Sequence, residues 1–224
     1  MPKTILIVED HQILREIMKD YLMDEGYQVL EASGGSQALA LFQQEEIDLI
    51  ILDIMLPELD GWSVCRRIRK KSNIPILILT SRSDEDDTLL GFELGADDYV
   101  VKPCSPPILL ARTKRLLDSR HIRDSGDTLC GGAIMLHLPS RTVTLNGEPC
   151  MLTHKEFEIL AYLLTNKGII ISREQLVTKI WGYDFAGDDR TLSSHMRNLR
   201  SKLGEHASHI VTVVRSGYKF EERP

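Results

Sequence analysis

Four short apolar runs in the first half of the chain each stop at a residue able to handle a phosphate or a metal. That repetition limits the fold more than any other feature of the sequence. The run over 4–8 stops at Glu9-Asp10, that over 48–52 at Asp53, that over 75–79 at Thr80, and that over 99–101 at Lys102-Pro103. Runs this short, rich in Ile, Leu and Val and separated by helix-like stretches, read as buried parallel strands of repeated βα units. In an open α/β sheet the ligand crevice lies beyond the carboxyl ends of the strands. Three carboxylates, one hydroxyl and one ammonium are therefore expected around a single point.

The chemistry of such a group follows from its charges. Carboxylates within a few ångströms of one another raise each other's pKa. A hard divalent cation relieves the repulsion, and Mg²⁺ typically takes one or two carboxylates with waters and a phosphate. Asp53, ending the central strand of the three, is placed as a carboxylate nucleophile that forms an acyl phosphate. Lys102 supplies a point charge for phosphoryl oxygens, and Thr80 a hydroxyl donor to another. Taken singly, Glu9 and Asp10 read as helix caps and Lys102 as an exposed loop lysine. Four strand ends in one register outweigh that reading.

Glu9-Asp10, Asp53 followed by Met55 and Pro57-Glu58-Leu59-Asp60-Gly61, Thr80, Gly95-Ala96-Asp97-Asp98-Tyr99 and Lys102-Pro103 together resemble a two-component receiver domain. The resemblance covers the first half of the chain and implies a (βα)5 flavodoxin-like fold with strand order 2-1-3-4-5. It implies phosphotransfer to Asp53, the sole acceptor, from a sensor histidine kinase. Mg²⁺ is then held by Glu9, Asp10, Asp53 and the carbonyl of Met55. A cis peptide before Pro103 is implied too, as is an inward swing of Tyr99 when Thr80 moves towards the phosphate. Cys104 stands where the family commonly has Phe.

At 224 residues the chain exceeds one average domain, and its charge is unevenly spread. Up to Asp118 there are 21 acidic against 13 basic residues, a net of −8, and beyond it 12 against 14, a net of +2. An acidic half joined to one with a basic stretch suggests a regulatory module tethered to an anion binder. A receiver over 1–118, a polar linker over 119–126 and a second domain over 127–224 are expected. Strands are placed at 4–8, 28–32, 48–52, 75–79 and 98–101, and helices at 12–25, 35–45, 61–71, 84–94 and 106–117. Cys65, Cys104, Cys130 and Cys150 form no CxxC pair, which suits a reduced, cytoplasmic chain. No apolar run approaches a membrane span, and strand-like sequence from Thr4 leaves no room for a signal peptide. No histidine has a ligand-spaced partner that suggests zinc.

The second half reads as α+β. Short strands are expected over 133–138, 142–145 and 148–151, with Asn146-Gly147 a type I′ hairpin turn. Thr153 with Glu156, and Ser172 with Gln175, are capping boxes opening two helices, the second ending at Trp181 before Gly182. Phe157, Leu160 and Leu164 lie on the apolar face of the first. A third helix over 190–203, with Asp189 as cap and Gly204 just past its end, precedes a hairpin of strands at 210–214 and 218–221. That is the outline of a winged helix-turn-helix.

On the third helix Leu192, Met196, Leu199 and Leu203 form one apolar stripe. The remaining faces carry Arg190, Ser193, Ser194, Arg197, Asn198, Arg200 and Ser201, without an acid. A solvated face would mix in acidic partners at i, i+4, so anion binding is favoured. Such a helix can enter a major groove, while Arg215 at the hairpin turn reaches a minor groove. Asn198 is the expected adenine reader, with Arg197, Arg200 and Arg215 on phosphates or in the minor groove.

Leu152-Thr153 with Glu156-Phe157, Ser172-Arg173-Glu174 with Leu176, Ile180-Trp181-Gly182, Arg190-Thr191, His195, Leu199-Arg200 with Lys202-Leu203-Gly204, and Gly217-Tyr218 resemble the OmpR/PhoB-type effector domain. This implies binding to promoter DNA, with Thr191 added to the contacting set, and RNA polymerase as a partner. It also implies phosphorylation-promoted homodimerisation through the fourth helix, fifth strand and fifth helix of the receiver. In that interface Asp98 and Arg112 match one family ion pair, expected to be exposed, and Thr88 and Ile108 replace another. Ser193, Met196, Asn198 and Arg215 stand where an acid, Ile or Val, Arg and Gly are common. Two other aspartate or phosphate chemistries fit less well. A haloacid dehalogenase-type phosphatase wants a second Asp where Met55 stands, and a flavin binder wants a neutral loop where Glu9-Asp10 stand. A pseudo-receiver regulated without phosphorylation usually lacks Asp53, Thr80 or Lys102, and all three are present.

Overall fold

The computed structural model describes residues 2–81, 94–117, 128–182, 185 and 189–222, with the backbone alone at Thr80 and Asp189. The chain divides into two compact units, Met1–Ser119 and Arg120–Pro224.

In the first unit the described elements are β1 (Thr4–Val8), α1 (Gln12–Asp24), β2 (Gln28–Ala32), α2 (Gly35–Gln44), β3 (Leu49–Asp53), α3 (Gly61–Arg69), β4 (Ile76–Thr80), β5 (Asp98–Val101) and α4 (Pro106–Leu117). The five strands form one parallel sheet in the order β2-β1-β3-β4-β5, as the family resemblance implied. Side chains alternate across a strand. Ile5, Ile7, Leu49, Ile51, Leu77 and Leu79 accordingly pack on one face against Met18 and Leu22 of α1 and Leu109 and Leu116 of α4. Both faces are covered, which is why these strands read as continuous apolar runs.

Two strand bounds move by one residue for a physical reason. Pro75 has no N–H and only accepts, from Ile50 N at 3.0 Å, so β4 opens at Ile76. Asp53 pairs in register with Leu79 and so is the last residue of β3, not the first of a loop. Gly61 opens α3 directly beneath it, where a Cβ would lie 2.2 Å from the Asp53 carbonyl oxygen. No other residue type fits there. The helix expected over 84–94, with Thr88, and the linker over 119–126 lie outside the described residues.

The second unit holds an antiparallel sheet of β6 (Thr128–Gly131), β7 (Ile134–His137), β8 (Thr142–Leu145) and β9 (Glu148–Pro149), in that order. Then come α5 (His154–Thr165), α6 (Arg173–Trp181), α7 (Asp189–Leu203), a 3-10 turn (Gly204–His209) and the hairpin β10 (Ile210–Val213) and β11 (Gly217–Phe220). Both capping boxes close, Thr153 with Glu156 and Ser172 with Gln175. Asn146 and Gly147 take φ of 52° and 88°, the two positive values a type I′ turn requires. β6 escaped the sequence because Leu129 is its one core-facing apolar side chain. The core gathers Phe157, Leu160 and Leu164 from α5, Trp181 from α6, and Leu192, Met196, Leu199 and Leu203 from α7. No helix among the described residues is long and apolar enough to cross a membrane.

Candidate functional site

Parallel register brings the ends of β1, β3 and β5 together. Glu9, Asp10 and Asp53 offer carboxylate oxygens within 4.8 Å of one another. Glu9 and Asp53 are buried, and Asp10 is exposed. Lys102 reaches in from beyond β5, its Nζ 2.6 Å from Glu9 Oε2 and 2.5 Å from Asp53 Oδ2. The other Asp53 oxygen, Oδ1, accepts from Met55 N at 2.9 Å, so the carboxylate is held from both sides. Burial pushes the Glu9 carboxyl above its ordinary range, against the pull of Lys102. Burial works against charge on Lys102 as well, but its hydrogen bonds to Asp53 and Glu9 raise its pKa above the ordinary lysine value.

The peptide between Lys102 and Pro103 is cis. Thr80 ends β4 one place beyond Leu79, the register partner of Asp53; its side chain is outside the described residues. Tyr99 is 8% exposed. An arginine that sequence reasoning missed supports the loop: Arg15 Nη1 donates to the Glu9 carbonyl at 2.6 Å, while its Nε lies 3.4 Å from Glu31. His11 is the N-cap of α1, its Nδ1 accepting from Leu14 N at 3.4 Å.

The pair Asp98–Arg112 differs from expectation. It is not exposed: Asp98 is 1% accessible. Arg112 Nη1 donates to both its carboxylate oxygens, at 2.9 and 3.0 Å, within the same chain, and Tyr99 N adds a third bond at 2.8 Å. Its register position at the start of β5 points it into the protein. Ile108 is half exposed on α4.

In the second unit the apolar stripe of α7 is buried as expected. The expected DNA-contacting residues divide. At about 100° per residue, Arg190, Ser193, Arg197 and Ser201 share one arc, and all four are exposed. Asn198 and Arg200 are half-buried at its margins, and Arg215 is exposed at the turn. Thr191 and Ser194 differ from the expected exposed positions: they are buried, 1% and 6% exposed, and leave little surface for a DNA contact. They flank His195, itself fully buried with its ring 5.3 Å from that of Trp181. Packing against α6 thus widens the buried side of α7 beyond the leucine stripe. Arg200 is also engaged, its Nη2 donating to the Ile210 carbonyl and to Thr212 Oγ1, each at 2.8 Å.

Comparison with known proteins agrees with this division. The family model of the response regulator receiver domain matches residues 5–114, and that of the transcriptional regulatory protein C terminus matches residues 147–220. The chain is 39% identical to the sensory transduction protein RegX3 of Mycolicibacterium smegmatis, over 97% of this chain and 99% of that one. It is 42% identical to the transcriptional regulatory protein YclJ of Bacillus subtilis, over the same shares. Among solved structures it is similar to DrrB of Thermotoga maritima, an OmpR/PhoB homolog, with 31% identity, a TM-score of 0.53 and coverage of 99% of this chain and 100% of that one. A RitR mutant gives 27% identity and a TM-score of 0.80 over 99% and 100% of the two chains. Since these relatives match from end to end, and the two family models fall one on each folded unit, the chain belongs to the OmpR/PhoB family of two-component response regulators, transcription regulators that join a receiver to a winged-helix DNA-binding domain.

Proposed function

We propose that Asp53 accepts a phosphoryl group from a sensor histidine kinase in the presence of Mg²⁺, and that the phosphorylated chain dimerises and binds promoter DNA. One observation carries this reading: three carboxylates meet beside the Lys102 ammonium. The donor set is all oxygen, as a hard ion prefers, and its excess negative charge matches a divalent cation. Glu9, Asp10, Asp53 and the Met55 carbonyl are the residues that would hold it. Bound there, the ion neutralises charge so that an anionic phosphoryl group can approach an anionic nucleophile.

The chain's own groups do the rest. The Met55 N–H and Lys102 orient the Asp53 carboxylate. One of its oxygens forms a bond to phosphorus as the P–N bond of the donor phosphohistidine breaks, and the imidazole leaves. The Lys102 ammonium is already beside that carboxylate and turns to the phosphoryl oxygens. Thr80 moves towards the phosphate and donates its hydroxyl to another oxygen, and Tyr99 swings inward with it. Dimerisation uses the β5–α4 side, where Ile108 adds exposed apolar surface. DNA is met by Arg190, Ser193 and Arg197 of α7, with Asn198 reading adenine and Arg215 entering the minor groove. RNA polymerase is the downstream partner.

Incubation with a small phosphodonor and Mg²⁺, followed by intact mass, should add one phosphate to the protein and none to Asp53→Asn. Phosphate on that variant, or incorporation without metal, overturns the assignment. Selection of binding sites from random DNA tests the other half: Asn198→Arg should change the preferred base at one operator position by roughly 1–3 kcal/mol of discrimination.

A further inference from the structure

Side-chain contacts from α6 and α7 join the β10–β11 hairpin to α7. Tyr218 is 5% exposed and lies against two guanidinium groups, Arg173 from the first turn of α6 and Arg200 from α7, each with Cζ 5.7 Å from its ring centroid. Arg173 Nη1 donates to the Tyr218 hydroxyl at 2.8 Å, and its Nη2 donates to Ser193 Oγ at 2.7 Å. One side chain therefore spans from the wing to the exposed face of α7. Arg200 makes a second tie, through Ile210 and Thr212.

The backbone seats the base of the same hairpin, the point about which it pivots. Ile171 and Tyr218 exchange both main-chain bonds, at 2.8 and 2.9 Å. A Cβ on Gly217 would lie 2.0 Å from the Ile171 carbonyl oxygen, so the hairpin base sits flush against that segment. The tip is set as well. Ser216 N donates to Val213 O at 2.9 Å, and Arg215 takes a φ of 61°, which residues other than glycine seldom adopt.

Small rotations matter here. Strands of four residues reach about 13 Å at ~3.3 Å per residue, so a pivot of about 15° at the base carries the tip about 3.4 Å, one base-pair step. A hairpin free to pivot could follow the minor groove through such a step, and a locked one could not. We propose that Arg173 is a specificity-positioning residue. By bridging Tyr218 and Ser193 it fixes the distance from α7 to Arg215, and so sets the spacing between major-groove and minor-groove elements that an operator must have. This rests on α7 and the wing both meeting DNA.

The test uses the full chain and the operator obtained by site selection, with and without one base pair inserted between the α7 contacts and the flanking minor-groove segment. The unsubstituted protein should lose about tenfold or more in affinity on insertion, the equivalent of one mismatched base pair. Tyr218→Phe deletes one hydroxyl and keeps the ring, and Arg173→Gln deletes the bridge. In both, the insertion penalty should shrink to about threefold or less while the parent operator is still bound. Ser193→Ala cuts the arm to α7 and, because Ser193 also meets DNA, is read by the insertion penalty and not by overall affinity; the penalty should relax likewise. An undiminished penalty in Tyr218→Phe and Ser193→Ala overturns the proposal, even if overall affinity falls. A selected motif that Asn198→Arg leaves unaltered would instead remove the reading of α7 on which it rests.

Discussion

Each folded unit buries a cluster of charged side chains, and the two clusters are balanced differently. In the receiver, among the described residues, Glu9 and Asp53 are ion-paired with Lys102, and the exposed Asp10 lies alongside them. In the effector domain the first turns of α5 carry as much buried charge, but it is matched. Lys155, 1% exposed, donates to Glu158 at 2.9 Å and to the Ile180 carbonyl at 2.7 Å, beneath the Trp181 ring. His154 Nε2 meets Glu158 Oε1 at 3.0 Å. Glu156 takes the Thr153 N–H and the Lys202 ammonium, each at 2.7 Å. These contacts tie the ends of α6 and α7 to the start of α5.

Burial raises the pKa of a carboxyl in both places. At Glu9 burial prevails and the pKa is raised. At Glu158 Lys155 and His154 overcome burial and hold the carboxyl well below the usual carboxylate range. Charge left uncompensated marks a place where something binds; charge fully compensated marks a scaffold.

If that distinction holds, the two lysines answer differently to removal. Lys155→Met leaves a buried carboxylate short of its cation and should destabilise the effector unit by on the order of 3–5 kcal/mol. Mg²⁺ should not restore it. Lys102→Met should destabilise the receiver less, and added Mg²⁺ should recover the loss by taking over the same carboxylates. Thermal melts of both variants with and without Mg²⁺ measure this. Recovery of Lys155→Met by the ion, or none for Lys102→Met, would erase the distinction.

Arg112→Ala should cost roughly 1.5–3 kcal/mol, the worth of hydrogen bonds to a charged group, because Asp98 is enclosed. Denaturant unfolding checks it. A loss near zero would mean that the pair opens readily and is available to a second chain. Sedimentation of this variant is informative about dimerisation only beside that measurement.

Acid should separate the units by slope. Burial lowers the folded pKa of His154 below its ordinary value of 6.5, and that of Glu158 lies below its ordinary 4.5. In both cases the unfolded chain takes up the proton first. Their stabilisation is therefore complete above those values and is lost as pH falls, first below 6.5 and then below 4.5. Glu9 has the opposite sign. Its folded pKa is raised, so its contribution is complete below 4.5 and declines as pH rises through the raised value. With chelator present, the effector unit should lose stability on acidification from neutral pH, while the Glu9 contribution in the receiver has the opposite sign and offsets that of Asp60, whose pKa, against burial, its bonds to Ser63 lower. Replacing Glu158 by Gln should flatten the lower part of the effector profile; an unchanged profile would show that the cluster does not report its burial.

The smallest effect is expected at Arg15. Arg15→Met removes its bond to the Glu9 carbonyl, worth about 0.5–1.5 kcal/mol. It should weaken Mg²⁺ binding, read by fluorescence of Trp62 at the start of α3, with little change in melting temperature. Unaltered binding would confine Arg15 to a structural part.

Much of this is legible in the sequence alone. The bounds of β1, β2, β5 and α4, both capping boxes, the Asn146-Gly147 turn and the grouping of Glu9, Asp10, Asp53 and Lys102 all follow from signals local in sequence or from strand ends sharing one register. An apolar run, a cap three residues from its partner and a turn needing two positive φ values are settled by neighbours along the chain. Polar residues are otherwise. Whether Thr191 and Ser194 face DNA or Trp181, whether Asp98 pairs inwardly, and whether Lys155 is solvated or buried depend on atoms brought from far away. Lys102 meets Glu9 across 93 residues, Arg173 meets Tyr218 across 45, and Lys155 meets Ile180 across 25. Composition and spacing identify which groups can carry charge. Their burial, and so their pKa and their role, comes into being only when packing supplies or withholds a partner.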